Sequence, residues 1–364
     1  MTSAEVKPTK KKNKVPEPPL SFSSLPDELT ENILARVSRW KYASLSLVSK
    51  RFHSLLSSKE IYRTRSQIGA TETCVYVWLK LPDHPCASWF SLRTKPNYQN
   101  RTKQRGKIRF KRGSSGLSVE PIPSSSTDSF PEQNNITTFG PEIYIIGGRY
   151  KPSSSVRIFD CRSHTWRDAP NMTVARKNAP LPGPGADEDE LRNHLRKSSE
   201  YVIVNEFEGK LYVATDEKEF SYEPKNGKWK LVRETSSLIS DSIDVLCEMG
   251  NVIYGCTDLG YLMWSAPEME GRKWREIKGL EKLRKHPTRG LEIGCEFGLV
   301  GYGGQLLVMW DTYIYKRYNK IWCAKISLES RRNGREVWGK VECVDLLTFP
   351  VKSYERFGCV AASI

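Results

Sequence analysis

The side chains of this sequence best suited to metal binding or nucleophilic attack are five histidines and nine cysteines. His53, His84, His164, His194 and His286 are far apart. Cys74, Cys86, Cys161, Cys247, Cys256, Cys295, Cys323, Cys343 and Cys359 are scattered singly, most of them inside apolar, strand-like runs. A zinc site or a disulfide framework needs clustered or paired spacing. An odd count without any Cys-x-x-Cys pair points instead to buried free thiols in a reducing compartment. No metal and no cofactor is expected. The chain also lacks a G-x-S-x-G elbow, an H-E-x-x-H pair and a Walker phosphate loop. Gly298-Leu299-Val300-Gly301-Tyr302-Gly303-Gly304 is Gly-rich, but no Lys or helix follows it, so it reads as strand ends and a turn. These residues predict a chain that is not an enzyme.

Electrostatic attraction is the remaining chemistry. The net charge of +15 is concentrated in two places. Residues 1–14 hold five Lys against one Glu, and residues 93–112 hold nine Lys or Arg and no acid. These contribute +4 and +9, leaving +2 for the rest of the 364 residues. The second run interleaves Tyr98 and Phe110 with its cations, a pattern that suits RNA or an acidic partner. A solvated loop explains it more simply, and the alternation in Lys107-Ile108-Arg109-Phe110-Lys111 permits a charge-protected edge strand. Nucleic acid is therefore the less favoured partner. Lys10-Lys11-Lys12-Asn13-Lys14 fits a nuclear signal, though such runs are common. No stretch approaches the roughly eighteen apolar residues of a membrane helix, and the start is not of signal-peptide type. The expected location is cytoplasmic, nuclear or both, with no membrane partner.

Most of the chain is patterned as short strands. From about Thr71 onward a weak repeat recurs: Gly or Pro, a spacer, then three mostly apolar residues. Its copies are Pro141–Ile145, Gly209–Val213, Gly250–Tyr254 and Gly304–Val308, each followed by a second strand-like run, a polar turn and a Trp. Phe159 precedes Trp166 by seven residues and Tyr222 precedes Trp229 by seven, the latter pair across the tight-turn signal Asn226-Gly227. Longer turns lead to Trp274 and Trp338. Repeated antiparallel pairs of this kind predict a mainly β fold, a β-propeller of about five blades; a β-sandwich with Trp in its core is the plainer alternative. The first blade is split between residues 76–93 and the C-terminal GCVAASI, so that pairing them closes the ring. Residues 93–135 and 177–199 read as long loops and residues 1–20 as a disordered basic, Pro-rich tail.

Residues 21–66 have a different period. Ser24, Pro26, Asp27 and Glu28 form a helix start, and Leu29, Ile33, Leu34, Val37 and Trp40 follow at helical spacing. A second helix carries Leu45, Val48, Phe52, Leu55 and Leu56, and Ile61–Ile68 adds a short third element. So small a unit is marginal alone. It either covers one end of the β domain, reads DNA as a helix-turn-helix, or docks on another protein.

Two resemblances favour docking. IYIIGGRY, with Gly147 and Gly148, followed by Phe159 and Trp166, resembles a kelch repeat, in which paired glycines end a strand and the Trp packs between blades. The other copies place Thr215-Asp216, Cys256-Thr257 and Trp310-Asp311 where the glycines would stand. LPDEL, ILARVS and LSLVSKRFHSLLSSKEIY together resemble an F-box, in an arrangement similar to plant F-box proteins carrying kelch repeats. The resemblance implies that Leu25, Pro26, Leu29, Ile33, Leu34, Leu47, Val48 and Phe52 dock on a Skp-type adaptor or pack beneath that surface. It implies tyrosine and tryptophan positions Tyr222, Trp229, Trp274 and Trp338 as structural members of the propeller. The chain would be the substrate-recognition subunit of a Skp–cullin–F-box ubiquitin ligase. Its partners would be the adaptor, through it cullin, and a target protein held by the propeller. Some kelch propellers are copper oxidases, but five dispersed His provide no ligand set. Trp40-Lys41-Tyr42-Ala43 lacks the Pro usual at this point, which is expected to loosen the helix junction.

Overall fold

The computed structural model describes residues 24–82, 84, 86–94, 110–111, 117–122, 135–147, 153–171, 203–207, 210–214, 219–223, 228–233, 243–250, 252–266, 274–285, 290–291, 295–311 and 320–364. The chain divides into two units, residues 1–70 and 71–364.

The first unit is helical. It contains α1 (Asp27–Ala35), a 3-10 turn (Arg39–Lys41), α2 (Tyr42–Leu45), α3 (Lys50–Ser57) and α4 (Glu60–Gln67). Its core is Leu34, Ala35, Tyr42, Leu56 and Ile61, with Phe52 and Leu55 against them. Two details differ from the sequence pattern. Pro26, rather than Ser24, occupies the position before α1, and its carbonyl accepts from both the N–H and the hydroxyl of Thr30. The expected second helix is two helices, because Ser46 turns its hydroxyl back to the Tyr42 and Ala43 carbonyls while Ser49 caps α3 through the Phe52 N–H. Such local side-chain bonds compete with helix continuation and favour a break followed by a fresh N-cap.

The second unit is built of five sheets whose successive strands are antiparallel. Blade 1 uses β1 (Thr73–Lys80), β2 (Ala87–Thr94) and, after the two-residue β3 (Phe110–Lys111), β4 (Leu117–Pro121). Blade 2 is β5 (Ile136–Phe139), β6 (Glu142–Ile146), β7 (Val156–Asp160) and β8 (Thr165–Ala169). Blade 3 is β9 (Ile203–Phe207), β10 (Lys210–Ala214), β11 (Glu219–Glu223) and β12 (Lys228–Arg233). Blade 4 is β13 (Ile243–Met249), β14 (Val252–Thr257), β15 (Leu262–Ser265) and β16 (Arg275–Glu276), followed by the helical turn α5 (Glu281–Arg284). Blade 5 is β17 (Phe297–Tyr302), β18 (Gln305–Trp310), β19 (Lys320–Arg331) and β20 (Glu336–Thr348). The last strand, β21 (Arg356–Ser363), returns to pair with β1 from Thr73↔Ser363 to Lys80↔Arg356. That pairing closes the propeller as the sequence implied, and it leaves neither end of the chain's sheet series as a free edge.

Strands β13, β17, β21 and β5 lie side by side in that order, which makes them the inner strands of blades 4, 5, 1 and 2. The repeat legible in sequence corresponds to β6, β10, β14 and β18, the second strand of blades 2 to 5. Apolar side chains on the two faces of a blade enter two different seams. In β18, Leu306, Val308 and Trp310 pack toward blade 4, whereas Leu307 and Met309 pack toward blade 1. This explains why β18 is a continuous apolar run instead of an alternating one. Gly298 permits a further close approach: a Cβ there would lie 2.6 Å from the Cys359 Sγ of β21.

The span 93–135 was expected to be a long loop, with an edge strand permitted over residues 107–111; it supplies β3, at a sheet edge within that stretch, and β4. β3 runs parallel to β20 as a fifth strand of blade 5, and β4 is the outer strand of blade 1. β4 is difficult to recognise because an outer strand needs few apolar residues and tolerates its terminal Pro121. Residues 177–199 lie outside the described residues.

Candidate docking site

The helical unit leaves unusual side chains in solvent. Leu29 and Ile33 on α1 are 54% and 42% exposed, and Leu47 and Val48 in the α2–α3 turn are 87% and 67% exposed. Pro26 is exposed and Leu25 half-buried. Phe52 is half-buried against the core. Leu34, expected to dock or to pack beneath the docking surface, is 3% exposed and belongs to the core, so it lies beneath the exposed residues. Leu29 and Leu34 are five positions apart, which turns them to different sides of a 3.6-residue helix. Val37 and Trp40, expected on the first helix, lie beyond its end at Ala35.

Two arginines hold this surface in place: Arg51, expected at the rim of the docking surface, and Arg65, which the sequence pattern did not single out. The Arg51 Nε donates to the Asp27 carboxylate at 2.7 Å, and its Nη2 donates to the Thr30 hydroxyl and the Leu25 carbonyl. Arg51 thereby ties the Leu25-Pro26 segment and the start of α1 to α3. Arg65 is buried, and its Nη1 donates to the Ala35 and Val37 carbonyls at 2.8 and 2.7 Å and to the Tyr42 hydroxyl at 3.1 Å. The Tyr42 hydroxyl in turn donates to the Leu34 carbonyl. A guanidinium is thus stabilised by the carbonyl-rich end of a helix, where negative dipole ends collect. The same network fixes the junction that lacks Pro: the 3-10 turn runs straight into α2, with Tyr42 plugged into the core. The signal for Arg65 was available only as a cation in a mostly polar helix, indistinguishable from a surface residue.

In the propeller, the clearest seam joins blades 1 and 2. Trp166 lies 4.8 Å from Phe159 and 5.5 Å from Trp89, ring centre to ring centre, while Tyr76 meets Phe159 edge-on at 5.5 Å. Phe159 and Trp166 are direct cross-strand partners. Gly147 ends β6 with φ 74° and donates its N–H to the Ser155 carbonyl. Gly148 lies outside the described residues. Tyr222 and Trp229 are also cross-strand partners in backbone register. Trp274 packs against Ile253 of its own blade, as Leu246 does. Trp338 sits on the long β19–β20 hairpin opposite Glu329, beside Lys278 of the neighbouring blade. Where the paired glycines are missing, side chains satisfy the turn: Thr257 Oγ1 accepts from the Tyr261 N–H, and Asp311 Oδ1 accepts from the Glu296 N–H. The buried Asp311 also accepts from Tyr354, whose hydroxyl is pushed far above its usual pKa by burial and then by that carboxylate.

The thiols are set for packing. Burial pushes Cys359 up to about 12 and Cys343 up to about 11, in the latter case with Asp345 adding to the effect. Cys247 and Cys323 rise further for the same first reason. A thiol held protonated is a poor nucleophile and a poor metal ligand.

Comparison with known proteins agrees with both units. The F-box domain model matches residues 22–64, and the FKB95, Kelch-repeats domain model matches residues 89–182 and 186–348. Three F-box/kelch-repeat proteins of Arabidopsis thaliana are 40%, 36% and 35% identical to this chain. The alignments cover 99%, 94% and 100% of it, and 98%, 93% and 100% of the relatives. The fold is therefore a helical F-box followed by a kelch-type propeller. This chain belongs to the F-box/kelch-repeat family. Neither matched domain model is that of an enzyme family.

Proposed function

We propose that the chain is the substrate-recognition subunit of a Skp–cullin–F-box ubiquitin ligase, acting in the cytoplasm, the nucleus or both. The helical unit docks on a Skp-type adaptor through Leu25, Pro26, Leu29, Ile33, Leu47 and Val48, with Leu34 and Phe52 beneath. The observation that carries this reading is the exposure of Leu29, Ile33, Leu47 and Val48 on a unit whose own core is closed without them. Burying an apolar side chain of this size contributes about 1.5–3 kcal/mol, enough for a few central anchors to dominate an interface.

The mechanism requires no chemistry from this chain. The propeller holds a target protein, the adaptor links the chain to cullin, and a conjugating enzyme on the same assembly meets the target at high effective concentration. The rate gain comes from proximity of lysine and thioester, both supplied by other subunits.

The test is capture of a purified Skp-type adaptor by the full chain, compared with Leu47→Asp/Val48→Asp and with Leu25→Ala/Pro26→Ala. Wild-type capture that is lost in the first variant while the chain stays folded supports the proposal. A folded wild-type chain that captures no adaptor overturns it.

A further inference from the structure

The β19–β20 hairpin is out of proportion to its blade. Its strands are 12 and 13 residues long, whereas the second strand of the same blade has six. The excess carries the tip past the packed seams, and every residue from Glu329 to Arg335 is exposed. The tip turns through Arg332, Asn333 and Gly334, all at positive φ, and closes with the Arg335 N–H on the Arg332 carbonyl.

This projection is fixed to blade 4. The Lys278 N–H donates to the Val337 carbonyl and the Gly339 N–H to the Lys278 carbonyl, while Arg275 Nη1 donates to the Arg335 carbonyl. Five cations gather around the hairpin: Arg275, Lys278, Arg331, Arg332 and Arg335. Three acids accompany them, Glu276, Glu329 and Glu336, which leaves +2. Glu336 is already saturated, because it accepts from Lys278, Arg332 and the Trp338 Nε1. Glu329 is engaged by Arg331. The Arg335 guanidinium has no partner among the described residues, and the bond Arg275 makes to a carbonyl cancels no charge. Beneath the cations, Trp338 presents a half-buried indole with the Arg331 guanidinium 4.7 Å from its ring centre.

We propose that this hairpin is a docking surface for an acidic peptide segment of the target. The claim rests on the reading of the propeller as the target-holding unit. Arg335 supplies an unpartnered guanidinium and Arg332 the donors that its bond to Glu336 leaves open, Arg275 and Lys278 extend the positive field along the line where blade 4 pairs with β20, and Trp338 gives an apolar floor. Arg is suited to this because its planar fork meets a carboxylate bidentately. The backbone bonds to Lys278 hold the surface in place before binding, which reduces the ordering cost of association.

The probe is a short fluorescein-labelled peptide rich in Asp and Glu, with its Asn/Gln counterpart as reference, titrated against the full chain by fluorescence anisotropy. Arg332→Glu/Arg335→Glu should weaken acidic-peptide binding by roughly tenfold or more, since both charges lie at an open, steering surface. Lys103→Glu/Arg105→Glu/Lys107→Glu, in the basic run outside the described residues, should leave it within about twofold. Loss of binding in the second variant instead of the first overturns the proposal, as does equal binding of the acidic and neutral peptides. Tighter binding of oligouridine that is lost with the same tip substitutions also overturns it, in favour of nucleic acid. Unchanged melting of the tip variant shows that the fold is intact, and Arg332→Gln/Arg335→Gln serves if it melts early. Adaptor capture by the tip variant is measured separately: retained capture with lost peptide binding affects only the hairpin, whereas failure of capture by wild type affects the ligase reading.

Discussion

The two units solve opposite problems with similar apolar side chains. Four of the seven exposed large apolar residues among those described, Leu29, Ile33, Leu47 and Val48, belong to the helical unit, although it is less than a quarter of the chain. Among its described residues the propeller turns most of its own into the seams, where even β18 is apolar on both faces and both are covered. A ring of sheets supplies each blade with two neighbours of the same protein. A small helix cluster has one inner surface only, and any apolar residue beyond its quota faces outward. Under the ligase proposal, this outward excess is the part that the adaptor covers.

The comparison breaks most completely at the closing strand. Deleting residues 356–364 removes β21, strips β1 of an eight-residue ladder and takes Phe357 and Cys359 out of the blade 5–blade 1 core. The loss should exceed the roughly 5–15 kcal/mol by which a domain is stable, so the propeller should show no cooperative melting in calorimetry. A sharp transition at an unchanged temperature would mean that the ring does not depend on closure.

Next in size is a pair of substitutions of the same type. Leu56→Asp places a charge in the closed core of the helical unit and should cost more than about 4 kcal/mol, seen as rapid amide hydrogen exchange throughout residues 27–67. Leu47→Asp, at an exposed site, should change stability by no more than about 0.5 kcal/mol. Under the ligase proposal the second substitution nevertheless weakens adaptor binding by about 2 kcal/mol or more, roughly thirtyfold. Equal destabilisation by both would show that Leu47 is part of the fold and remove the basis for the contrast.

Arg65→Ala should cost about 3 kcal/mol in urea unfolding of the helical unit, because the Ala35 and Val37 carbonyls and the Tyr42 hydroxyl lose their donor in a buried setting. Arg51→Ala, at a more open site with the same number of acceptors, should cost about 1 kcal/mol. The order of the two effects, more than their values, tests whether burial governs these networks.

These arginines also show where the sequence stops being legible. The short strands β6, β10, β14 and β18 were readable because turn residues and an apolar run repeat in order. Phe159 and Trp166 were readable as partners because their spacing matches a hairpin register. The closing role of β21 followed from an unpaired strand at each end of the β region. By contrast β4 emerged from an apparent loop, since LSVEP has only two strongly apolar residues and needs its partner β2 to become a strand. Arg65 and Tyr42 lie 23 positions apart, and no local pattern announces that one will close over the other. Leu29, Ile33, Leu47 and Val48 are exposed, but Leu34 could be separated from them only once helix phase and the position of α4 were known.

The smallest effect concerns charge at the turn of blade 2. Burial raises the Asp160 carboxyl, but the Arg162 side chain and N–H outweigh it, and the group ends below its ordinary 3.8. A carboxyl with a depressed folded-state value binds protons more weakly in the folded chain than in the unfolded one. It therefore contributes stability at pH above 3.8, and that contribution is lost as the pH falls through the folded-state value. The neighbouring Tyr144 behaves oppositely: burial and the Glu142 carboxylate push its hydroxyl from 10.0 up to about 12. Its contribution is complete below pH 10 and disappears as the pH rises through about 12. Asp160→Asn should flatten the acid limb of the stability profile by a few tenths of a kcal/mol, the scale of partly exposed ion pairs, and leave the alkaline limb alone. Tyr144→Phe should do the reverse. Urea unfolding at pH 3, 7 and 11 decides between them. An acid limb unaltered by Asp160→Asn would mean that the Arg162 contact is made equally well in the unfolded chain, where the two residues are only two positions apart.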